Sequence, residues 1–243
     1  MYKKFFELQE NPFRANPDPR FLFLTQEVEE ALSALMYGIE TRKGFITLTG
    51  EVGTGKTTLL NRLLDGLRQR RARTAFLFNS RINTRQFFDF VLAEFEITTG
   101  VRDKSFQLMQ LNQWLLERHA ASEPVVLLID EAQNLSTRVL EEVRLLTNLE
   151  TSSEKLLQIV LSGQPELDIK LRLPELRQLR QRITLRCKTK PLTLEQTHQY
   201  ILERLRIAGA KGEAIFSPES VAKIHRYAAG IPRLTNLLCE HAV

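Results

Sequence analysis

Apolar positions follow two rhythms along this chain. Short, nearly unbroken runs recur at FITLT (45–49), TAFLFN (74–79), PVVLLID (124–130), LQIVLSG (157–163) and ITLRC (183–187). Between them apolar residues return at helical spacing, in TTLLNRLLDGLRQR (57–70), QFFDFVLAEFE (86–96), SFQLMQLNQWLLERHAA (105–121) and TRVLEEVRLLTNLE (137–150). Strands apolar on both sides, alternating with helices, predict a five-stranded parallel sheet covered on both faces. Right-handed crossovers then gather the carboxyl ends of the strands, and any ligand site, along one edge.

After Pro191 the strand rhythm stops. TLEQ (193–196) is a capping box that opens a helix to about Ala208, and Ser217-Pro218 supplies a cap and a first-turn proline for another. GIPR (230–233) separates that helix from a last apolar run, LTNLLCEHAV, so the tail is expected to be a small all-helical domain. The last helix reads as short, which suggests a truncated chain or one that ends early.

Composition adds little to this picture. The 243 residues are 43% hydrophobic and 26% charged, ordinary for a globular protein of one large or two smaller domains. No apolar stretch approaches the roughly 20 residues that cross a bilayer. The N-terminus, MYKKFFELQENPF, lacks the apolar core of a secretory signal. Cys187 and Cys239 have no metal-ligand spacing and read as reduced, structural thiols, so a cytoplasmic location is expected. The net charge of +5 comes from clustered arginines, chiefly RQRRAR (68–73) and LRLPELRQLRQR (171–182). Such clusters permit contact with nucleic acid, acidic membranes or phosphates, but solvated helix faces are the simpler reading.

Candidate chemistry sharpens the reading more. Gly50, Glu51, Val52, Gly53, Thr54, Gly55, Lys56 and Thr57 fit G-x-x-x-x-G-K-[ST] in full, after a strand and at the start of a helix. Glycines let backbone N–H groups wrap around phosphate oxygens, and the helix N-terminus adds partial positive charge. Lys56 is expected to reach the β- and γ-phosphates of ATP and the Thr57 hydroxyl to help hold Mg²⁺, with Thr58 beside them. These features predict a P-loop nucleotide-binding fold. At the end of the third run, Asp130 suits Mg²⁺ and Glu131 is placed to activate water, which indicates hydrolysis.

Other residues refine this chemistry, each against a plainer structural role. Gln164 or Ser162, closing the fourth run, could contact the γ-phosphate or the lytic water. Asn79, closing the second, could hold Glu131 in an inactive rotamer or be a turn residue. Arg182 could reach a neighbouring subunit's γ-phosphate, with Arg180 and Arg177 as alternatives. Arg233 in GIPR could fold back onto the phosphates.

This order of parts resembles the AAA+ ATPases, with a phosphate loop, acidic box, sensor, arginine finger and helical lid. More narrowly, FFELQENPFRANPDPRFLFLT, ALSALMYGIETRKGFITLTGEVGTGKTTLL, LLIDEAQNL and LSGQPEL look like the ExeA (general secretion pathway protein A) family. The resemblance implies an N-terminal segment framing the nucleotide (1–24), an αβ ATPase core (25–190) and a helical lid (191–243). It further implies that Phe21 to Leu24, with Ile231 and Pro232, frame the adenine. Its implied setting is a ring- or filament-forming homo-oligomer with an arginine donated in trans. Such an assembly would assist a secretin or pilus system at the inner membrane, through a partner or a further C-terminal region. The alternative is a transposition regulator of the TnsC/TniB type, which would turn the basic clusters into a DNA phosphate track.

Overall fold

The computed structural model describes residues 2–14, 16–78, 81–98, 100, 103–211 and 215–243. In chain order the elements are α1 (Tyr2–Phe5), α2 (Gln26–Glu40), β1 (Phe45–Thr49), α3 (Lys56–Gln69), β2 (Arg73–Leu77), α4 (Thr84–Glu94) and α5 (Lys104–Ala120). Then come β3 (Val125–Ile129), α6 (Thr137–Leu146), β4 (Gln158–Gly163), α7 (Pro165–Lys170), α8 (Arg177–Arg182) and β5 (Leu185–Lys188). Three helices close the chain, α9 (Leu194–Ile207), α10 (Pro218–Ala228) and α11 (Pro232–Ala242).

Two compact units make up the chain. One holds Ala31–Thr49 and Leu63–Lys188, and the other holds Met1–Glu30, Gly50–Arg62 and Thr189–Val243. The first is built on the predicted sheet, parallel throughout and ordered β2-β3-β4-β1-β5. Every residue of β1, β3 and β4 is buried, as continuous apolar runs require. Phe45, Leu127, Ile129, Ile159 and Leu161 pack with Phe87, Leu111, Leu115, Val139 and Val143 of the covering helices. Each such side chain contributes about 1.5–3 kcal/mol on leaving water. The register aligns Thr49 with both Gly163 and Lys188, and Leu77 with Ile129, so the strands' carboxyl ends share one edge.

Helix α6 stops four residues before the predicted Glu150. There the Thr147 hydroxyl donates to the Arg144 carbonyl (2.6 Å) and Lys155 donates to the Thr147 carbonyl (3.0 Å), which ends the helical ladder. The amphipathic helix α2, with Ala31, Leu35 and Ile39 buried on one stripe, lies outside the helical runs read from the sequence.

The second unit contains the three closing helices, the chain's first thirty residues and the glycine-rich turn. Its core joins Leu8 and Phe13 to Tyr200, Ile201, Leu205, Val221, Ile224 and Cys239. The predicted capping box forms at Thr193 and Gln196 in both directions, and Ser217 caps α10. Arg204, 6% exposed, ties the N-terminal segment down. Its guanidinium donates to the Pro12 carbonyl and the Tyr200 hydroxyl and stacks 4.5 Å from the Phe21 ring centroid. A buried charge is tolerable only with such partners.

Candidate functional site

The glycine-rich turn leaves β1 at Gly50 and enters α3 at Lys56. Gly53 and Gly55 take the left-handed conformation, with φ of 80° and 93°. A side chain at Gly53 would lie 2.8 Å from Cβ of Arg233 and 3.0 Å from Ile231, so only glycine lets the turn run against the GIPR segment. The Arg233 N–H donates to the Gly53 carbonyl at 3.2 Å, which joins the turn directly to the start of α11. The Arg233 side chain is exposed, and Ile231 and Pro232 are half-buried. Phe21 is buried beneath Arg204, while Leu24 is exposed.

Within the turn, Lys56 is 5% exposed, and its ammonium donates to the carbonyls of Gly50 (2.8 Å) and Glu51 (2.9 Å). Thr54 is buried, its hydroxyl donating to the Glu51 carbonyl (2.7 Å) and meeting that of Thr189 (2.7 Å). Thr57 and Thr58 are half-buried in the first turn of α3, and Glu51 and Val52 face solvent. A buried ammonium, left-handed glycines and a helix amino terminus are the parts of an anion cradle.

The acidic pair is built in the sheet unit. Asp130 follows β3 and is 4% exposed, and its Oδ1 accepts from the Ser162 hydroxyl (2.8 Å) and the Glu131 N–H (2.9 Å). Glu131 has φ 51°, a left-handed conformation that costs a non-glycine residue of order 1 kcal/mol. Its Oε2 accepts from two amides, Gln164 Nε2 (2.9 Å) and Gln133 Nε2 (2.5 Å). Gln133 also accepts the Gln164 N–H on its Oε1 (3.1 Å). The two sensor candidates thus attach to different acids, Ser162 to Asp130 and Gln164 to Glu131. Gln133 was not among the candidates read from the sequence. Its only signal there was its place in the DEAQ string.

Asn79 lies outside the described residues. The three candidate arginines part company. Arg182 donates to Thr147 Oγ1 and Asn148 Oδ1 (2.5 Å each), Arg177 is exposed, and Arg180 lines a cleft on the sheet unit. Thr57 in the glycine-rich turn's unit and Asp130 in the sheet unit each offer a hard oxygen of the kind Mg²⁺ takes. Among the described residues no three His, Cys, Asp or Glu side chains form a metal cluster. No helix among the described residues is long and apolar enough to cross a membrane.

Solved structures share this architecture. Cdc6p from Pyrobaculum aerophilum superposes with a TM-score of 0.64 at 19% identity, over 87% of this chain and 58% of that one. The ORC2 protein of Aeropyrum pernix in its ADP form gives 0.65 at 13% identity, over 95% and 67%. The RuvB Holliday junction branch migration motor of Thermotoga maritima gives 0.58 at 16%, over 89% and 61%. At these identities the likeness establishes the fold. In sequence, the chain is 43% identical along its whole length to general secretion pathway protein A of Aeromonas hydrophila, and spans 44% of that protein. This agrees with the resemblance carried by the motif strings. A family model described as the AAA domain matches residues 39–171, which include the phosphate loop, the acidic pair and Gln164, and the chain therefore belongs to the AAA domain family.

Proposed function

We propose that this chain is a Mg²⁺-dependent AAA+ ATPase of the secretion-protein-A type. The observation that carries the reading is the Glu131 carboxylate, held by Gln133 and Gln164 at the end of β3 in a chain that also has a complete phosphate loop. A carboxylate fixed in this way is suited to accept a proton from attacking water. In this reading Lys56 exchanges its two loop carbonyls for phosphate oxygens, and the amides after Gly53 complete the cradle. Thr57 and Asp130 would hold the metal, which supplies charge neutralisation at the β- and γ-phosphates. Gln164 would register the γ-phosphate through its bond to Glu131, and Arg233 through its bond to the phosphate loop.

The likeness to general secretion pathway protein A supports a role in energising assembly of a secretin or pilus system at the inner membrane. The chain would act as a homo-oligomer, ring or filament, with an arginine completing the neighbour's site.

Substitution separates the two halves of this chemistry. Lys56→Ala is expected to abolish tight ATP binding in a fluorescent-nucleotide titration. Glu131→Gln is expected to keep binding and lose turnover by about 10²–10⁴-fold, the usual worth of a general base. Wild-type turnover in Glu131→Gln would remove Glu131 from its assigned role.

A further inference from the structure

The two arginine-rich stretches have different fates in the fold. In the first, three of the four arginines are paired, Arg68 with Asp65 (3.4 Å), Arg70 with Glu40 (2.8 Å) and Arg73 with Glu123 (3.1 Å), so most of its charge is offset within the chain. In the second, Arg172 and Arg180 form no ion pair with any described residue. They line an open cleft of about 370 Å³ together with Asp168, Leu171, Arg186 and Lys188. Four cationic side chains there face one carboxylate. That carboxylate pairs with Arg186 and Lys188 at the long distance of 3.9 Å each and accepts the Thr49 hydroxyl at 3.1 Å, so one negative charge is shared between two of the four cations.

Excess positive charge confined to a concave surface raises the local concentration of anions. Three of the four cations are arginines, whose planar forks match phosphate oxygens two at a time. Arg186 and Lys188 stand two residues apart on β5, an outer strand of the sheet, so their side chains leave the same face about 6.6 Å apart. The cleft therefore offers a row of donors to a ligand carrying charge at repeated spacing. A single small anion would use only part of it.

We propose that this cleft is a second phosphate-binding site, separate from the phosphate loop, that takes successive phosphates of a nucleic-acid backbone. Asp168 sets its strength, since it is the cleft's one carboxylate, and its bond to Thr49 connects the site to the residue before the phosphate loop. The proposal does not depend on nucleotide hydrolysis.

Fluorescence anisotropy of the whole chain with a labelled DNA duplex tests it. Engagement of three or four phosphates is expected to weaken binding roughly 40- to 150-fold between about 50 and 200 mM salt. Arg172→Ala/Arg186→Ala, both at exposed positions, should lower affinity at least tenfold at low salt and reduce the log–log salt slope by about 2, with an unchanged melting temperature. Asp168→Asn, which keeps an acceptor for Thr49, should tighten binding. Lys56→Ala should leave it intact. Three results would each overturn the proposal. In the first, DNA binding is lost in Lys56→Ala yet kept in the double arginine variant. In the second, tripolyphosphate occupies the cleft but DNA does not, which would make it a free-anion site. In the third, polyglutamate competes as well as DNA at equal charge, which would point to an acidic protein.

Discussion

Single residues carry the tightest constraints in this molecule, and glycine carries them most plainly. Gly230, which opens GIPR, sits at φ 71°, and a Cβ there would lie 2.1 Å from the Leu192 carbonyl oxygen. Neither the backbone conformation nor the space admits a side chain. Gly230→Ala should lose about 2–4 kcal/mol, left-handed strain and overpacking together, read as a fall in urea midpoint. A loss under half a kcal/mol would mean that the Leu192 segment yields easily. The residue scale is also where the sequence was most and least legible. Lys56 and Asp130 announce themselves because phosphate and metal chemistry demand those side chains at fixed places along the chain. Gln133 does not, because an amide that orients a carboxylate is chemically indistinguishable, in one dimension, from any surface glutamine. Ser162 and Gln164 are alternatives for one role in the sequence because both lie at the end of the fourth apolar run. Successive residues of a strand point to opposite faces, so residues two apart would share one. Gln164, however, lies beyond β4 as the N-cap of α7, and the two side chains reach different, adjacent acids.

At the scale of elements, hydrophobic rhythm predicts the five parallel strands, most plainly β1, β3 and β4, which are buried on both faces and have no polar alternation to confuse them. Element ends were less legible. Where α6 stops depends on hydrogen bonds of Thr147 and Lys155, which apolar spacing does not encode. The same burial that makes the elements legible also tunes their thiols. Cys187 on β5 is pushed up to about 11 and Cys239 on α11 to about 12, from an ordinary 9.0, because burial penalises the thiolate. The Tyr200 phenol is raised for the same reason. The unfolded chain ionises at the ordinary values, so this stabilisation is complete below about pH 9 and is lost as pH rises through 11 to 12. The urea midpoint should therefore decline above pH 9, and Cys187→Ala/Cys239→Ala should flatten that decline while lowering the plateau. At pH 8 both thiols should resist iodoacetamide until the chain unfolds. Rapid alkylation of the native protein would show that one of them is not buried.

For the whole molecule the open matter is where a site obtains its arginine. Arg182 is bound within its own chain to the neutral acceptors Thr147 Oγ1, Asn148 Oδ1 and the Arg144 carbonyl. Among the described residues it forms no ion pair, though its charge helps hold the Glu150 carboxyl down, so passing to a partner would cost it uncharged hydrogen bonds and no salt bridge. A head-to-tail assembly would bring this end of α8 to a neighbouring copy, as heterologous interfaces in rings and filaments do. Arg182→Ala and Glu131→Gln should each be inactive alone, the first for want of the arginine and the second for want of the base. Mixed in equal amounts, about a quarter of such interfaces would combine an intact Glu131 with an intact Arg182, because each site draws on two different copies. Turnover should then recover to about a quarter of wild type per subunit once mixed assemblies form, as co-elution of differently tagged copies would verify. If mixed assemblies form and turnover stays at background, the arginine acts within its own chain, and the bonds to Thr147 and Asn148 are its working geometry. Turnover retained by Arg182→Ala alone would instead move the role to Arg180 or Arg177. Arg180 lines the same cleft proposed to hold phosphates. In that case DNA binding and subunit completion would compete for one surface, and DNA would inhibit turnover as it bound.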